Sequence, residues 1–371
     1  MRGNLIIALL FYTVTISAQF DISLGTSFGY ESNINKSPNS FTENNILYKK
    51  EQLHLNSTFQ DVFLDLKYAK KWKSNVLRAS LSPEMRYYYS EPSSKITIIN
   101  SRLKHTYFLS KKLKLESNLR YKIKDRKGAD FEDIELRTPL GYNLFNLSSG
   151  IHFSLHKNNK TFTEFSYSKK NFDKSDIRKV EYNMYSLNIK YTNNLTTNNL
   201  NSTYGISLEL HNRDYNINYF NENRNNYRNW IYINLSAFYE IPITNNWNLK
   251  PAFYYENRID KTDNTFGYSQ IKPSLSINYS NEKFSTNFRT DLYIRDFKNL
   301  QAFDSNNLNI DNLEYIYSKI ITTSKYHLTN NSTLLLEAYY LDRKSNNTNI
   351  NTQAYRSYTN YYIGTGFTYN F

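Results

Sequence analysis

From Leu113 to Lys124 the chain alternates without a break. Leu113, Leu115, Ser117, Leu119, Tyr121 and Ile123 share one face; Lys114, Glu116, Asn118, Arg120, Lys122 and Lys124 share the other. A period of two is that of a β-strand with one apolar and one wet side. The same rhythm returns at Phe20–Tyr30, Leu77–Tyr89, Ile231–Tyr239, Trp247–Tyr255, Ile271–Tyr279 and Phe284–Ile294. It also carries to the last residue: Tyr361, Ile363, Thr365, Phe367, Tyr369 and Phe371 fall opposite Gly364, Gly366, Thr368 and Asn370. Soluble domains seldom end on an exposed Phe, because termini fray into water.

Read throughout, the pattern predicts strands over 20–31, 52–68, 75–89, 97–109, 113–124, 142–156, 161–168, 183–192, 203–212, 230–241, 247–256, 270–279, 284–295, 314–328, 333–341 and 355–371. That is about sixteen, within a range of fourteen to eighteen. Most are long enough to cross a bilayer at a tilt. The alternation switches phase inside 52–68 and inside 314–328, which predicts a bulge in each. Connections alternate in length. Short ones include Ser110–Lys112, Pro242–Asn246 and Thr329–Ser332; long, Asn-rich ones are Ser32–Lys50, Asp125–Gly141, Arg213–Asn229, Asp296–Asn312 and Asp342–Thr352. Together these predict an all-β chain forming a single transmembrane antiparallel up-and-down β-barrel with short turns at one rim and long loops at the other. Trp72, Trp230 and Trp247 are expected beside strand ends, as interfacial anchors.

Composition agrees. Tyr (35) and Phe (23) are abundant and Gly (10) and Pro (7) scarce, which excludes a disordered chain. The mean hydropathy of −0.69 does not oppose a barrel, where only alternate residues are apolar. Residues 1–18 read as a secretory signal: Arg2, an uncharged apolar stretch Leu5–Ile16, then Ser17-Ala18 before Gln19. Residues 19–371 are expected to form the barrel. No later run of eighteen apolar residues predicts a transmembrane helix. The absence of Cys excludes disulfides and thiolate metal sites.

The formal net charge is +13. Lys and Arg cost about 2–4 kcal/mol each at a lipid-facing midplane, so the alternation places them inside. Arg78, Arg86, Arg120, Lys122, Lys124, Arg258, Arg289 and Arg295 are the candidates for setting lumen selectivity, against Glu84, Glu116, Glu164, Glu209, Glu256, Asp291 and Glu337. A basic lumen favours anions. An open pore and a lumen plugged by paired charges are both compatible with this pattern.

Little else suggests chemistry. His152, Ser154 and His156 lie two apart on one strand face, an arrangement that makes no nucleophile–base pair, and no enzyme activity is expected. His54, His105, His211 and His327 have no metal spacing. Asp130, Glu132, Asp133 and Glu135 form an acidic knot that could take Ca²⁺ but matches no EF-hand; Asp260, Asp263 and Asn264 are a sparser case. No metal and no cofactor is expected. The aromatics fall on the face opposite the basic residues, which leaves no stacking groove for nucleic acid.

The alternation, loop asymmetry, signal-like start and Phe371 ending resemble bacterial outer-membrane β-barrel proteins. The resemblance implies the outer membrane of a Gram-negative bacterium. It also implies contact with membrane lipids and lipopolysaccharide, the latter through basic residues at the rim or near Lys70, Lys71 and Lys73. Ile363, Phe367, Tyr369 and Phe371 would then be the C-terminal assembly signal read by the barrel-assembly machinery. A narrower resemblance lies at Gly25–Pro38, where Gly29-Tyr-Glu-Ser-Asn-Ile-Asn35 is similar to the opening of the barrel in surface lipoprotein assembly modifiers and in some barrels tied to exopolysaccharide export. Glu31 stands where that family has Asp, and its preceding helical-repeat domain has no counterpart here. Two functions follow as expectations. One is a porin-like or export conduit for polar or anionic solutes. The other is a non-conducting surface barrel whose long loops bind a glycan or surface lipoprotein.

Overall fold

Each alternating segment has one greasy and one wet face, and a sheet of such strands satisfies both only by closing on itself. The computed structural model describes residues 18–43, 46–126, 141–156, 158–173, 178–197, 200–219, 224–350 and 355–371. The elements are β1 (Ala18–Glu31), β2 (Ser40–Glu43), β3 (Ile46–Lys49), a helical turn α1 (Lys50–Leu53), β4 (Ser57–Trp72), β5 (Asn75–Tyr88), β6 (Ile96–Phe108), β7 (Leu113–Arg126), β8 (Tyr142–Ser154) and β9 (Asn159–Phe172). They continue with β10 (Arg178–Thr197), β11 (Leu200–Tyr219), β12 (Arg224–Pro242), β13 (Trp247–Asp260), β14 (Tyr268–Ser280), β15 (Phe284–Phe303), β16 (Asn309–His327), β17 (Ser332–Ser345) and β18 (Tyr358–Asn370). β2 and β3 pair with each other outside the wall; the other sixteen form one closed antiparallel barrel in chain order. Closure is between β1 and β18, from Ser23↔Asn370 to Glu31↔Tyr362. Closing removes both sheet edges and leaves no unpaired ladder facing lipid.

The pleat sorts the residues as the alternation requires. Phe28, Leu81, Leu103, Tyr121, Leu147, Phe165, Ile206, Leu235, Phe253, Ile320 and Ile363 are all exposed on the outer face. The outward rings Trp72 and Trp247 lie beside the short turns, each against another aromatic ring, His105 and Tyr279 respectively. Residues 1–17, most of the stretch expected to be a secretory signal, and the acidic run at 130–135 lie outside the described residues; Ala18 pairs with Lys70 in β1.

Four expectations are corrected. First, neither 52–68 nor 314–328 contains a bulge. β4 keeps one register along β1 from Ala18↔Lys70 to Glu31↔Ser57. β16 keeps one register along β15 from Tyr326 to Glu314, and the irregularity lies farther out, between Asp296 and Gln301 and at Phe303. The apparent phase switch has another cause: apolar side chains pointing inward. Phe59 and Phe63 lie over Gly29 and Gly25 of β1, where an added Cβ would come within 2.4 Å and 2.2 Å of the rings. Inward Tyr315 and Tyr317 do the same to the pattern in β16.

Second, 213–229 and 296–312 are mostly strand. β11 runs to Tyr219, β12 starts at Arg224, β15 runs to Phe303 and β16 starts at Asn309. Polar residues can line both faces of a strand once it has left the hydrocarbon, and then alternation no longer marks it. Third, the Ser32–Lys50 loop carries the β2–β3 hairpin, which no alternation announces. Fourth, Trp230 is not a lipid-facing anchor. β12 begins six residues before it, and Trp230 points inward at 3% exposure.

Candidate functional site

The first long loop turns into the barrel. Asn33 and Ile34 are fully buried there, and Lys36 lines an interior cavity together with residues of the strands from β11 to β18. The descent is held by backbone and Asn side chains. Ser32 donates its backbone N–H to Tyr361 O at 2.9 Å and Ile34 donates to Leu55 O at 2.7 Å. The Asn33 amide donates to Ser37 O and Thr359 O, and Asn360 donates to the carbonyls of Ser32 and Asn33. Arg126 of β7 donates to Ile34 O at 3.1 Å. Asn33 and Lys36 both take positive φ, 52° and 50°. Asn tolerates that region; a Lys there is uncommon and is held by its surroundings.

Below this loop, five strands build a closed charge node. Arg86 of β5 makes a two-pronged pair with Asp61 of β4, at 2.7 and 2.8 Å, and reaches Glu31 of β1 at 3.1 Å. Glu31 also accepts from the hydroxyls of Tyr88 at 2.6 Å and Tyr339 at 3.1 Å. The guanidinium sits 4.1 Å from the Phe59 ring, and Phe59, Tyr362 and Tyr339 stack in succession. Two carboxylates and one guanidinium, each with hydrogen-bond partners, form a satisfied network.

The arc from β11 to β16, with residues of β17 and β18 at its edge, carries basic residues in another setting. A cavity of about 440 Å³ is lined by Lys36, Arg213, Arg295 and Lys319, with Glu256, His211, Gln270 and five tyrosines: Tyr232, Tyr268, Tyr293, Tyr317 and Tyr358. The guanidinium groups lie on rings. Arg213 is 4.8 Å from both Tyr182 and Tyr232; Arg258 is 4.2 Å from Trp230 and 4.3 Å from Tyr268; Arg295 is 4.3 Å from Tyr268; Arg343 is 3.9 Å from Tyr315. Cation–π contact fixes each guanidinium over its ring. The expectation that aromatics and basic residues keep to opposite faces is therefore wrong: toward the long-loop rim both point inward. Lys36, in its loop, has its amine pushed down to about 8, first by burial and then by Arg126, opposed by Glu31, with Lys319 and Lys124 adding to the depression.

The eight residues named from sequence as selectivity candidates separate into groups. Arg86 belongs to the closed node. Arg289 pairs with Asp291 at 2.9 Å, and Asp291 also accepts from Ser274. Arg120 donates to Asn100 at 2.8 Å, while Lys122 and Lys124 each lie 5.9 Å from the Tyr142 ring. Arg258 donates to Phe266 O, and Arg295 donates to Gln270 while lining the cavity. Arg78 lines a second space of about 380 Å³ near the short-turn rim, with Lys67, Arg102, Lys104 and Asp21. Ile363, Phe367, Tyr369 and Phe371 are exposed on the outer face of β18 and just beyond it.

Lys36, Arg213 and Lys319 were missed. Lys36 and Arg213 fell in stretches read as loops, and Lys319 in the strand whose inward tyrosines masked the alternation. His152 sits 3.3 Å from Glu116, a carboxylate shared with Lys104 and Lys114. Asp260 accepts from the backbone N–H of Thr262 and Phe266 and so ties its own loop. Among the described residues no group of three or more His, Asp or Glu could hold a metal ion.

No protein-family model matches the sequence, and no curated relative matches it. Solved structures do. The outer membrane channel DcaP of Acinetobacter baumannii superposes with a TM-score of 0.51 at 9% identity, over 96% of this chain and 98% of that one. The unliganded ferric citrate transporter FecA gives 0.48 at 10% identity, over 90% of this chain and 61% of that one. CdiB of A. baumannii gives 0.49 at 7% identity, over 94% and 60%. The chain thus spans about three-fifths of the last two. At 9% identity the likeness to the DcaP channel is one of fold, a transmembrane barrel of the outer-membrane type. None of these comparisons shows the narrower likeness of Gly25–Pro38 to assembly modifiers.

Proposed function

We propose that this barrel resides in the outer membrane of a Gram-negative bacterium and passes small polar anions. The observation that carries the reading is the cavity wall, where four cationic side chains and one carboxylate converge inside a closed barrel. Fixed positive charge in a narrow, low-dielectric passage lowers the barrier for anions and raises it for cations. Arg295 and Arg258 act here with Lys122, Lys124 and Arg120, while Arg78 extends the basic lining toward the short-turn rim. In this reading residues 1–18 are removed on export. Ile363, Phe367, Tyr369 and Phe371 present the assembly signal to the barrel-assembly machinery, and lipids and lipopolysaccharide surround the outer face. Protein in a planar bilayer is expected to give discrete conductance steps with a reversal potential favouring anions; silent bilayers, or cation preference, would remove this function.

The buried descent of Asn33 and Ile34 supports a second reading, a plugged surface barrel whose loops hold a glycan or a surface lipoprotein. Silent bilayers together with a partner that co-purifies from cells, and is lost when the loops are shaved by protease, would favour it.

A further inference from the structure

The interior cavity has the size of a small-molecule site, about 440 Å³. Its cations come from four separate segments: Lys36 from the inserted loop, Arg213 from β11, Arg295 from β15 and Lys319 from β16. Its one lining carboxylate, Glu256, already accepts the Tyr268 hydroxyl at 2.5 Å. The ring of Tyr268 has guanidinium groups 4.3 Å away from both Arg258 and Arg295, and that of Tyr232 has Arg213 at 4.8 Å. Cations thus occupy positions over these rings, and the cavity offers N–H and O–H donors more than flat apolar surface. Such a lining suits charged oxygens better than a neutral sugar or a hydrocarbon. Cations spread over four segments suit a solute with charge at more than one end.

We propose that this cavity is a binding site for a compact organic polyanion, carrying two or more carboxylates or a phosphate ester, held between Lys36 of the inserted loop and Arg213, Arg295 and Lys319 of the wall. The inference rests on the anion-conduit reading and narrows it to a solute class. The state of Lys36 agrees with it. The charged groups that face its amine are Glu31 of β1, Lys124 and Arg126 of β7 and Lys319 of β16, with His211, Arg213, Glu256 and Arg295 around the same cavity. Crowded by like charge and burial, the amine holds its proton only up to about pH 8. An anion in the cavity reverses that balance, so binding draws a proton onto Lys36 and weakens as pH rises through 8.

The test is titration calorimetry on the whole barrel in detergent micelles. Tricarballylate represents a polycarboxylate, glucose 6-phosphate a phosphate ester, and glucose and spermidine are the neutral and cationic controls. Bilayer recordings are run on the same preparation. Saturable binding of tricarballylate or glucose 6-phosphate, with neither control bound, is the expected result; whichever binds identifies the source of the charged oxygens. Repeating the titration at pH 8 in two buffers of different ionisation heat should reveal uptake of about half a proton per solute. Lys319→Gln and Arg295→Gln should each weaken binding about tenfold, the worth of one charge-assisted contact. Lys36→Met should abolish the proton uptake. Heat-modifiable gel migration reports whether each variant is folded, and the wild-type controls and proton count need no variant. Anion-selective conductance with no binding of either anion overturns the site and leaves the conduit standing. Binding with silent bilayers overturns the conduit and leaves the site. Binding of glucose or spermidine as tight as that of the anions overturns the polyanion assignment.

Discussion

Two faces of one lumen use the same residue types to opposite ends. On the wall of β1, β4, β5, β17 and β18, Arg86 is enclosed by Asp61, Glu31 and the rings of Phe59 and Tyr362. On the arc from β11 to β16, Arg213 and Arg295 rest on tyrosines and border a cavity that has a single lining carboxylate. The first arrangement meets one cation with two carboxylates and fills the space between them; the second gathers four cations and one carboxylate around an open space. Position in the lumen does not make a basic residue a selectivity residue. The carboxylates within its reach decide that.

The comparison can be broken at its strongest point by Arg86→Met, which leaves Glu31 and Asp61 buried without their cation. Removing one partner of a buried pair costs about 3–5 kcal/mol, and a large fall in the urea midpoint for unfolding from micelles is expected. Wild-type stability in this variant would mean the node is not structural. Gly29→Ala comes next. Its added methyl would lie 2.3 Å from the Ile363 carbonyl oxygen and 2.4 Å from the Phe59 ring, so β18 or the ring must shift. A loss of about 1–3 kcal/mol is expected, as for other overpacked sites, together with slower refolding on a gel.

Lys36 sharpens the other side. The neutral amine is the form that acylates, so labelling at Lys36 should rise with a midpoint near pH 8, well below that of ordinary surface lysines. Mass spectrometry of a pH series reads this directly, and a midpoint near 10.5 would contradict the crowding described for it. The stability sign follows. Between pH 8 and the unfolded value near 10.5 the unfolded chain binds the extra proton, so stability rises with pH across that window. Arg295→Gln is the smallest perturbation to folding, within about 1 kcal/mol because its guanidinium borders open space and is screened. Its effect should fall on the reversal potential, which moves away from anions; a stability loss as large as that of Arg86→Met would erase the distinction between the two settings.

How far the sequence could be read depended on the solvent each residue meets. Within the hydrocarbon belt, lipid forces strict alternation, and β7 or β13 can be read directly. All sixteen wall strands overlap segments visible in that pattern. Outside the belt the constraint relaxes, and the outer parts of β11, β12, β15 and β16 look like loops. Inside the lumen it relaxes differently. Phe59, Trp230, Tyr315 and Tyr317 are apolar or aromatic yet face inward, because they pack on glycines or under guanidinium groups. The cavity therefore gathers residues from stretches where alternation is silent. Lys36 is the extreme case: nothing in the local sequence says that its loop turns inward, since the Asn33 and Asn360 hydrogen bonds holding it span more than three hundred residues.

Strand length has a consequence of its own. β10 and β11 have 20 residues each and β12 has 19, while β6 and β8 have 13. At about 3.3 Å per residue, a seven-residue surplus is roughly 20 Å of extra ribbon. That surplus is divided between the two rims: β10 runs past its last pair with β9, Asn193↔Asn159, to Thr197↔Leu200 with β11 at the short-turn end, and β11 and β12 continue to Tyr219↔Arg224 at the other. A ribbon that stands clear of its neighbour keeps its outermost rungs in water, so those amides should be the first of the sheet to exchange their protons with solvent.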